Sequence, residues 1–313
     1  MDKSAYFNSR ALFIGYGLTL LFKMSHHDIL FSITFGFILG IIFLYFIKNI
    51  NNYKLITTIL LSIIVSISII NLTKTLYLEN TPLILIICFT LLVVYYISSI
   101  KSNAWNRFIN VLYILSIVMF IIIFLSLVPH IKTEYLRPIS IINYKNMINA
   151  SIMFFIISTY PIIRLNDLNN KKNIILSYII SSITILLMAF IVLTVLGEKE
   201  SLLYRYPEYI VLKRIKMLDF ISNVDNILFF AIYLDLIVCL SSSIRKLNIK
   251  VPYLKVITLF FIGSVVYVIC NHSSLINTIL EIFIPFIIIM FILTIIPKIF
   301  LHKKSENNYL INR

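Results

Sequence analysis

The chain contains ten long runs of apolar residues, and these runs limit its fold more than any other feature. A helix needs about 20 apolar residues to cross the hydrocarbon core of a bilayer, whereas barrel strands are about half as long and alternate in polarity. The sequence therefore predicts an all-α integral membrane protein with ten transmembrane helices in one polytopic domain, residues 1–313. The predicted spans are 11–24, 29–47, 55–73, 82–100, 108–128, 147–163, 174–196, 219–243, 254–270 and 276–296.

Composition supports this class of protein. Charged residues make up 13% of the chain, against about 25% in a typical soluble domain. The formal net charge is +14, and the basic residues lie in the gaps between apolar runs. This distribution is typical of orientation signals and lipid headgroup contacts rather than of nucleic-acid binding. The three cysteines, Cys88, Cys239 and Cys270, have no metal-ligand spacing and are predicted to pack between helices.

The distribution of basic residues predicts the topology. Ten spans place both termini on one side, and 17 of the 27 Lys and Arg residues, Arg10 among them, fall on that side. The side richer in Lys and Arg is normally cytoplasmic, so both termini are expected there. The segment "FKMSHHDIL" after the short first run has no small-residue cleavage site, which predicts a retained helix rather than a signal peptide.

Two predicted spans carry residues that interrupt helices. They are Gly15, Tyr16 and Gly17 in the first span and Ser158, Thr159, Tyr160 and Pro161 in the sixth. These spans occupy matching positions if the ten helices form two sets of five, as in transporters with inverted repeats and paired broken helices that bind substrate. This predicts a five-plus-five inverted repeat transporter fold with broken helices 1 and 6. Alternatively, the glycines allow close helix packing, and Pro161 lies near the cytoplasmic end of its helix without breaking it.

Few ionisable residues lie inside the spans. Asp235 is expected near the bilayer midplane, where a carboxylate indicates a cation, proton or ligand-amine site; the alternatives are a structural pair with Lys or Arg, or a protonated side chain. Glu281 is expected near the interface. His26 and His27 with Asp28 are expected to form a solvated turn rather than a metal site. No catalytic motif or cofactor signature is present, so we expect neither an enzyme nor a cofactor.

A charged segment, "YRYPEYIVLKRIKMLDFISNVD", residues 204–225, stands between two apolar runs. Pro207 suits the first turn of a helix. The apolar residues that follow it predict a half-apolar helix at about 207–217, lying at the membrane interface.

This segment resembles the signature of the spore germination receptor B-subunit family, the GerB-type spore permeases. The matching residues are Tyr206, Pro207, Ile215, Asp219 and Phe220 in the segment, and Asp28, Gly36 and Gly40 in "HDILFSITFGFILGIIF". The Arg and Glu that the family carries at the start of the eighth span are Asn223 and Asp225 here, and the first helix is short.

The resemblance implies the amino acid–polyamine–organocation transporter fold and binding of an amino-acid germinant among helices 1, 3, 6 and 8. Partners would be a receptor A subunit and a C lipoprotein, in a spore inner membrane or cell membrane. The backbone of residues 15–17 would take the ligand carboxylate, residues 158–161 would line the site, and Asp235 would face the amine. Alternative functions are a secondary amino acid transporter coupled to protons or Na⁺, and a scaffold with no ligand site.

Overall fold

The computed structural model describes residues 1–13, 17–47, 54–137, 143–213, 224–249, 251–272 and 291. These residues form helices and no β-strand. The α-helices are α1 (Lys3–Arg10), α2 (Leu18–Ser25), α3 (Ile29–Phe46), α4 (Lys54–Leu76), α5 (Leu83–Ser99), α6 (Ser102–Leu127), α7 (Tyr144–Leu165), α8 (Lys171–Leu203), α9 (Pro207–Lys213), α10 (Val224–Lys246) and α11 (Pro252–Asn271). Short 3₁₀ turns lie at His26–Asp28, Val128–His130 and Thr133–Leu136.

In the part of the chain that the structure describes, seven helical stretches are long and apolar enough to cross a membrane. They are Leu18–Phe46, Lys54–Leu76, Ser102–His130, Tyr144–Leu165, Lys171–Leu203, Asn226–Lys246 and Pro252–Asn271, and Leu83–Ser99 is a shorter apolar helix. The prediction of a multi-pass, all-helical membrane protein is therefore confirmed.

The outward faces of several helices are apolar and exposed. Phe46 on α3 is 73% exposed, Tyr96 on α5 is 74% exposed and Phe260 on α11 is 76% exposed. A soluble monomer rarely shows such large apolar patches, because water disfavours them. In a bilayer these side chains contact lipid.

Eight of the predicted spans coincide with α3 to α8, α10 and α11. The tenth, 276–296, lies outside the described residues apart from Phe291, so the count of ten helices and the inverted repeat stay predictions. The seventh predicted span ends at 196, where α8 changes conformation: Gly197 has φ 76° and ψ 170°, and the Tyr135 ring packs against it.

The first predicted span, 11–24, includes residues 14–16, which lie outside the described residues, so one helix over 11–24 stays a prediction. The structure adds a helix, α1, before this run and places α2 in its second half; the backbone N–H of Gly17 donates to the carbonyl of Leu12, five residues back, at 3.1 Å, which is the hydrogen bond of a π-helical turn. The missed helix, α1, carries Asn8, Ser9 and Arg10, and a hydropathy reading excludes such residues from a span. They are buried because each bonds to a polar group elsewhere in the bundle.

Close packing around α3 builds the core beside the first helix. A Cβ on Gly36 would lie 2.5 Å from the Ser151 carbonyl oxygen of α7, and one on Gly40 would overlap the Tyr178 hydroxyl of α8. Only a residue without a side chain lets the backbones approach this closely. Both glycines belong to the segment that carries the family resemblance, and their role in the fold is helix contact.

Candidate functional site

The first helix, α1, lies in the middle of the bundle. It begins with a cap in which the Asp2 carboxylate accepts from the backbone N–H of Ser4 at 3.1 Å. All six residues from Ala5 to Arg10 are buried, against α6, α7, α8 and α10. Polar side chains on so buried a helix must find partners within the protein, because lipid offers none.

Arg10, the last residue of α1, forms an ion pair with Asp235 of α10. The guanidinium Nη2 lies 2.5 Å from Asp235 Oδ1, and both side chains are almost fully buried. Nη2 also donates to the Ser116 hydroxyl on α6 at 2.6 Å, and Nη1 donates to the Tyr6 hydroxyl one turn back along α1. The pair therefore joins the first helix to α6 and α10.

Two aromatic rings enclose the guanidinium. Its central carbon lies 4.2 Å from the centroid of the Tyr6 ring and 4.3 Å from that of Phe120. Cation–π contacts of this kind grow stronger when water is excluded. The rings fix the plane of the guanidinium and thereby the direction in which each N–H points.

Asp235 lies at the centre of its helix. It is one residue from the middle of the stretch Asn226–Lys246, which is about 1.5 Å along the helix axis. Sequence analysis left several roles open for this carboxylate, and the structure pairs it with an arginine. Its Oδ2 atom, like Nε of Arg10, has no hydrogen-bond partner among the described residues.

Further polar contacts hold α1 against α7 and α8. Asn8 Nδ2 donates to the side-chain oxygen of Asn166 at 2.9 Å, and Asn166 in turn donates to the Asp2 carboxylate at 2.9 Å. Ser9 donates to the Ser181 hydroxyl on α8. These contacts attach α1 to its neighbours at both of its ends.

The start of α2 carries Gly17, one of the predicted ligand-binding residues. Gly17 caps α2, and a Cβ there would lie 2.5 Å from the Leu12 carbonyl oxygen and 3.1 Å from the Phe13 ring. Phe13 packs on Phe154 of α7 with ring centroids 4.7 Å apart. Gly15 and Tyr16, the other predicted ligand-binding residues here, lie outside the described residues.

The predicted break in the sixth span is absent, because α7 is continuous through Pro161. Proline removes one backbone donor and leaves the Ile157 carbonyl without its helical N–H, but it lies within the last five residues of α7, and nearby hydroxyls bond to the carbonyls one turn further back. Ser158 donates to the Phe154 carbonyl at 2.8 Å, and Thr159 donates to that of Phe155 at 2.7 Å.

Ser158, Thr159, Tyr160 and Pro161 are buried. The Ser158 hydroxyl lies 3.0 Å from that of Tyr178 on α8, and the Tyr160 hydroxyl donates to the Thr57 carbonyl on α4 at 3.4 Å. These contacts give the predicted site residues of α7 a role in joining helices.

The described part of the segment 204–225 packs against the bundle, and its position at the membrane interface stays a prediction. Pro207 begins α9, whose residues Pro207, Glu208, Tyr209, Val211 and Leu212 are buried. Asn71 of α4 donates to the Tyr206 hydroxyl at 3.3 Å, and Thr19 of α2 donates to the Arg205 carbonyl at 2.7 Å. Three signature residues, Ile215, Asp219 and Phe220, lie outside the described residues, as does the side chain of Asp225.

The His26–Asp28 turn is less solvated than predicted. Asp28 is 1% exposed, and its carboxylate accepts from the backbone N–H of Asn143 at 2.8 Å. His26 lies 3.4 Å from the Glu198 carboxylate. Within the described residues no group of His, Cys, Asp and Glu side chains could hold a metal ion.

Sequence reasoning missed Arg10, which it counted among the cytoplasmic surface charges. The available signal was Asp235 itself, because a carboxylate in mid-membrane needs a basic partner and Arg10 stands at the edge of the first apolar run.

A scan of the chain against models of known protein families, and a search of curated proteins, found no match.

Proposed function

We propose that the chain is a membrane subunit of the spore germinant receptor type, which binds an amino-acid ligand inside a transporter-like bundle. The observation that carries this proposal is the buried Arg10–Asp235 pair, which holds α1 in the core of the bundle. Buried charges at mid-membrane are expensive and by default indicate a functional site.

The ion pair favours a sensor over a coupled pump. A proton- or Na⁺-coupled transporter needs a carboxylate that exchanges its cation during the cycle. Here the cation beside Asp235 is a guanidinium attached to α1, and arginine does not lose its proton in proteins. In a sensor, ligand binding beside the Arg10–Asp235 pair would be transmitted by movement of α1. A receptor A subunit and a C lipoprotein are the partners that would receive the signal.

A second candidate is a secondary amino acid transporter coupled to protons or Na⁺. It is favoured by Asp235 Oδ2, a fully buried carboxylate oxygen with no hydrogen-bond partner among the described residues. This oxygen is available to a proton or to a small cation.

Purified protein in proteoliposomes separates the two functions. Each of the twenty ¹⁴C-labelled L-amino acids is tested for equilibrium binding and for uptake under imposed proton and Na⁺ gradients. Saturable binding without concentrative uptake supports the sensor, whereas uptake against a gradient establishes the transporter instead. Absence of both contradicts both functions and leaves the scaffold.

The biological role is tested in the organism that carries the gene. Spores lacking the protein should fail to germinate with the amino acid that the purified protein binds. Normal germination with that amino acid would refute the germinant-receptor assignment even if binding is real.

A further inference from the structure

The Arg10–Asp235 pair makes only half of the contact that its two groups can form. Arginine and a carboxylate often pair side by side through two parallel hydrogen bonds. Here the bond from Nη2 to Oδ1 is present at 2.5 Å. The atoms that a second bond would use, Nε of Arg10 and Oδ2 of Asp235, have no partner in the described part of the chain, although both side chains are buried.

We propose that these two atoms bind the charged ends of a zwitterionic α-amino acid. The Nε–H of Arg10 would donate to the ligand carboxylate, and Asp235 Oδ2 would accept from its ammonium group. This inference rests on the proposed function and deepens it, because it assigns the carboxylate to a side chain of α1 as well as the amine to Asp235.

The two unpartnered atoms need one hydrogen-bond acceptor and one donor. Nε is two bonds from the Nη2 atom that contacts Asp235, and Oδ2 is two bonds from the Oδ1 atom that receives the contact. An α-amino acid carries both groups on one carbon: a carboxylate that can accept from the Nε–H and an ammonium group that can donate to Oδ2.

Charge balance selects a zwitterion over an ion of either sign. The pair is neutral as a whole, and a buried net charge is costly. A simple amine would add an unbalanced positive charge, and a simple carboxylic acid would add an unbalanced negative one. A zwitterion keeps the site neutral and satisfies the free donor and the free acceptor together.

The surroundings hold the arginine in position for this role. Tyr6 and Phe120 enclose the guanidinium, and the Ser116 hydroxyl accepts its Nη2–H. Arg10 is also the last residue of α1.

Wild-type protein tests the zwitterion requirement without any mutation. Each ¹⁴C-labelled L-amino acid that binds is displaced with its matching primary amine and its matching carboxylic acid, which are ethylamine and propionate for L-alanine. We expect both analogues to bind at least about tenfold more weakly, because each lacks one charge-assisted hydrogen bond. An analogue that binds as tightly as the amino acid would overturn the inference.

Paired substitutions test the residues. The double variant Arg10→Gln with Asp235→Asn removes both charges together, so no single buried charge remains. The matched control is Lys246→Gln with Asp167→Asn, which removes an exposed ion pair between α10 and the end of α7. We expect the first variant to bind the amino acid at least about tenfold more weakly and the control to bind it like wild type.

A third variant covers the case in which the double variant does not fold. Arg10→Lys keeps the positive charge but has no Nε–H beside its terminal amine, and we expect it to fold and to bind at least about tenfold more weakly. Wild-type affinity in a folded variant would overturn the inference and leave the proposed function intact. Failure of wild-type protein to bind any of the twenty amino acids would overturn both.

Discussion

Residues 3–25 and α7 lie side by side in the bundle and both bury polar side chains, yet the first region is two helices and the second is one. In the first region the buried polar groups reach distant helices: Arg10 reaches α6 and α10, and Asn8 reaches Asn166. In α7, Ser158 and Thr159 bond to carbonyls one turn back within the same helix.

This difference indicates how strongly each region depends on distant contacts. The hydroxyls of Ser158 and Thr159 bond within their own helix, although the buried Arg164 of α7 donates to the Thr57 hydroxyl on α4. The first region carries a buried ion pair to another helix, and such a charge loses most when its partner is removed. The first region should therefore be sensitive to substitution and α7 should be tolerant.

Loss of the buried charge should give the largest effect. Arg10→Ala leaves the Asp235 carboxylate buried without its cation, and we expect a loss of about 3–5 kcal/mol in unfolding free energy. The measurement is chemical unfolding in mixed micelles, followed by circular dichroism. Lys246→Ala is the control, because its partner Asp167 is 77% exposed, and it should lose less than about 1 kcal/mol. Equal losses would show that the buried pair has no special role.

Gly17→Ala should give the next largest effect. The new Cβ would lie 2.5 Å from a backbone oxygen, that of Leu12, which cannot move without shifting the chain between α1 and α2. Overpacking of this kind destabilises by about 1–3 kcal/mol. Gly263→Ala is the matched control, because its nearest neighbour is the end of the flexible Leu91 side chain. The idea fails if the two variants unfold at the same denaturant concentration.

The positions of most helices could be predicted because hydropathy is a local property of the sequence. Runs of Ile, Leu, Phe and Val identify α3 to α8, α10 and α11 without knowledge of any contact. The importance of Asp235 could also be predicted, since a lone carboxylate in an apolar run is conspicuous whatever surrounds it.

The partner of Asp235 could not be predicted, since it depends on contacts between distant parts of the chain. Arg10 is 225 positions away in sequence, and a polar helix such as α1 resembles a cytoplasmic tail until its partners are known. The continuity of α7 was missed for another reason. Pro161 is visible in the sequence, whereas its place within the last five residues of α7 is known only once the end of that helix is fixed.

Within α7, Ser158→Ala should have a modest effect. It removes the contact between the Ser158 hydroxyl and that of Tyr178 on α8, at 3.0 Å, which is worth about 1 kcal/mol net. Thr159→Val is the control, since the Thr159 hydroxyl bonds to a carbonyl of its own helix. Thermal unfolding of both variants in the same detergent would show the difference. A larger loss in the Thr159 variant would mean that the hydroxyls stabilise α7 internally rather than joining it to α8.

Pro161→Ala should have the smallest effect and provides the sharpest test of the comparison. Alanine restores a backbone N–H that can donate to the Ile157 carbonyl, a gain of about 1 kcal/mol, and loses the apolar contacts of a buried ring, which offsets it. We therefore expect a change below about 1 kcal/mol, with ligand binding unaltered. A large loss of binding in a stably folded variant would show that α7 opens at Pro161 during function.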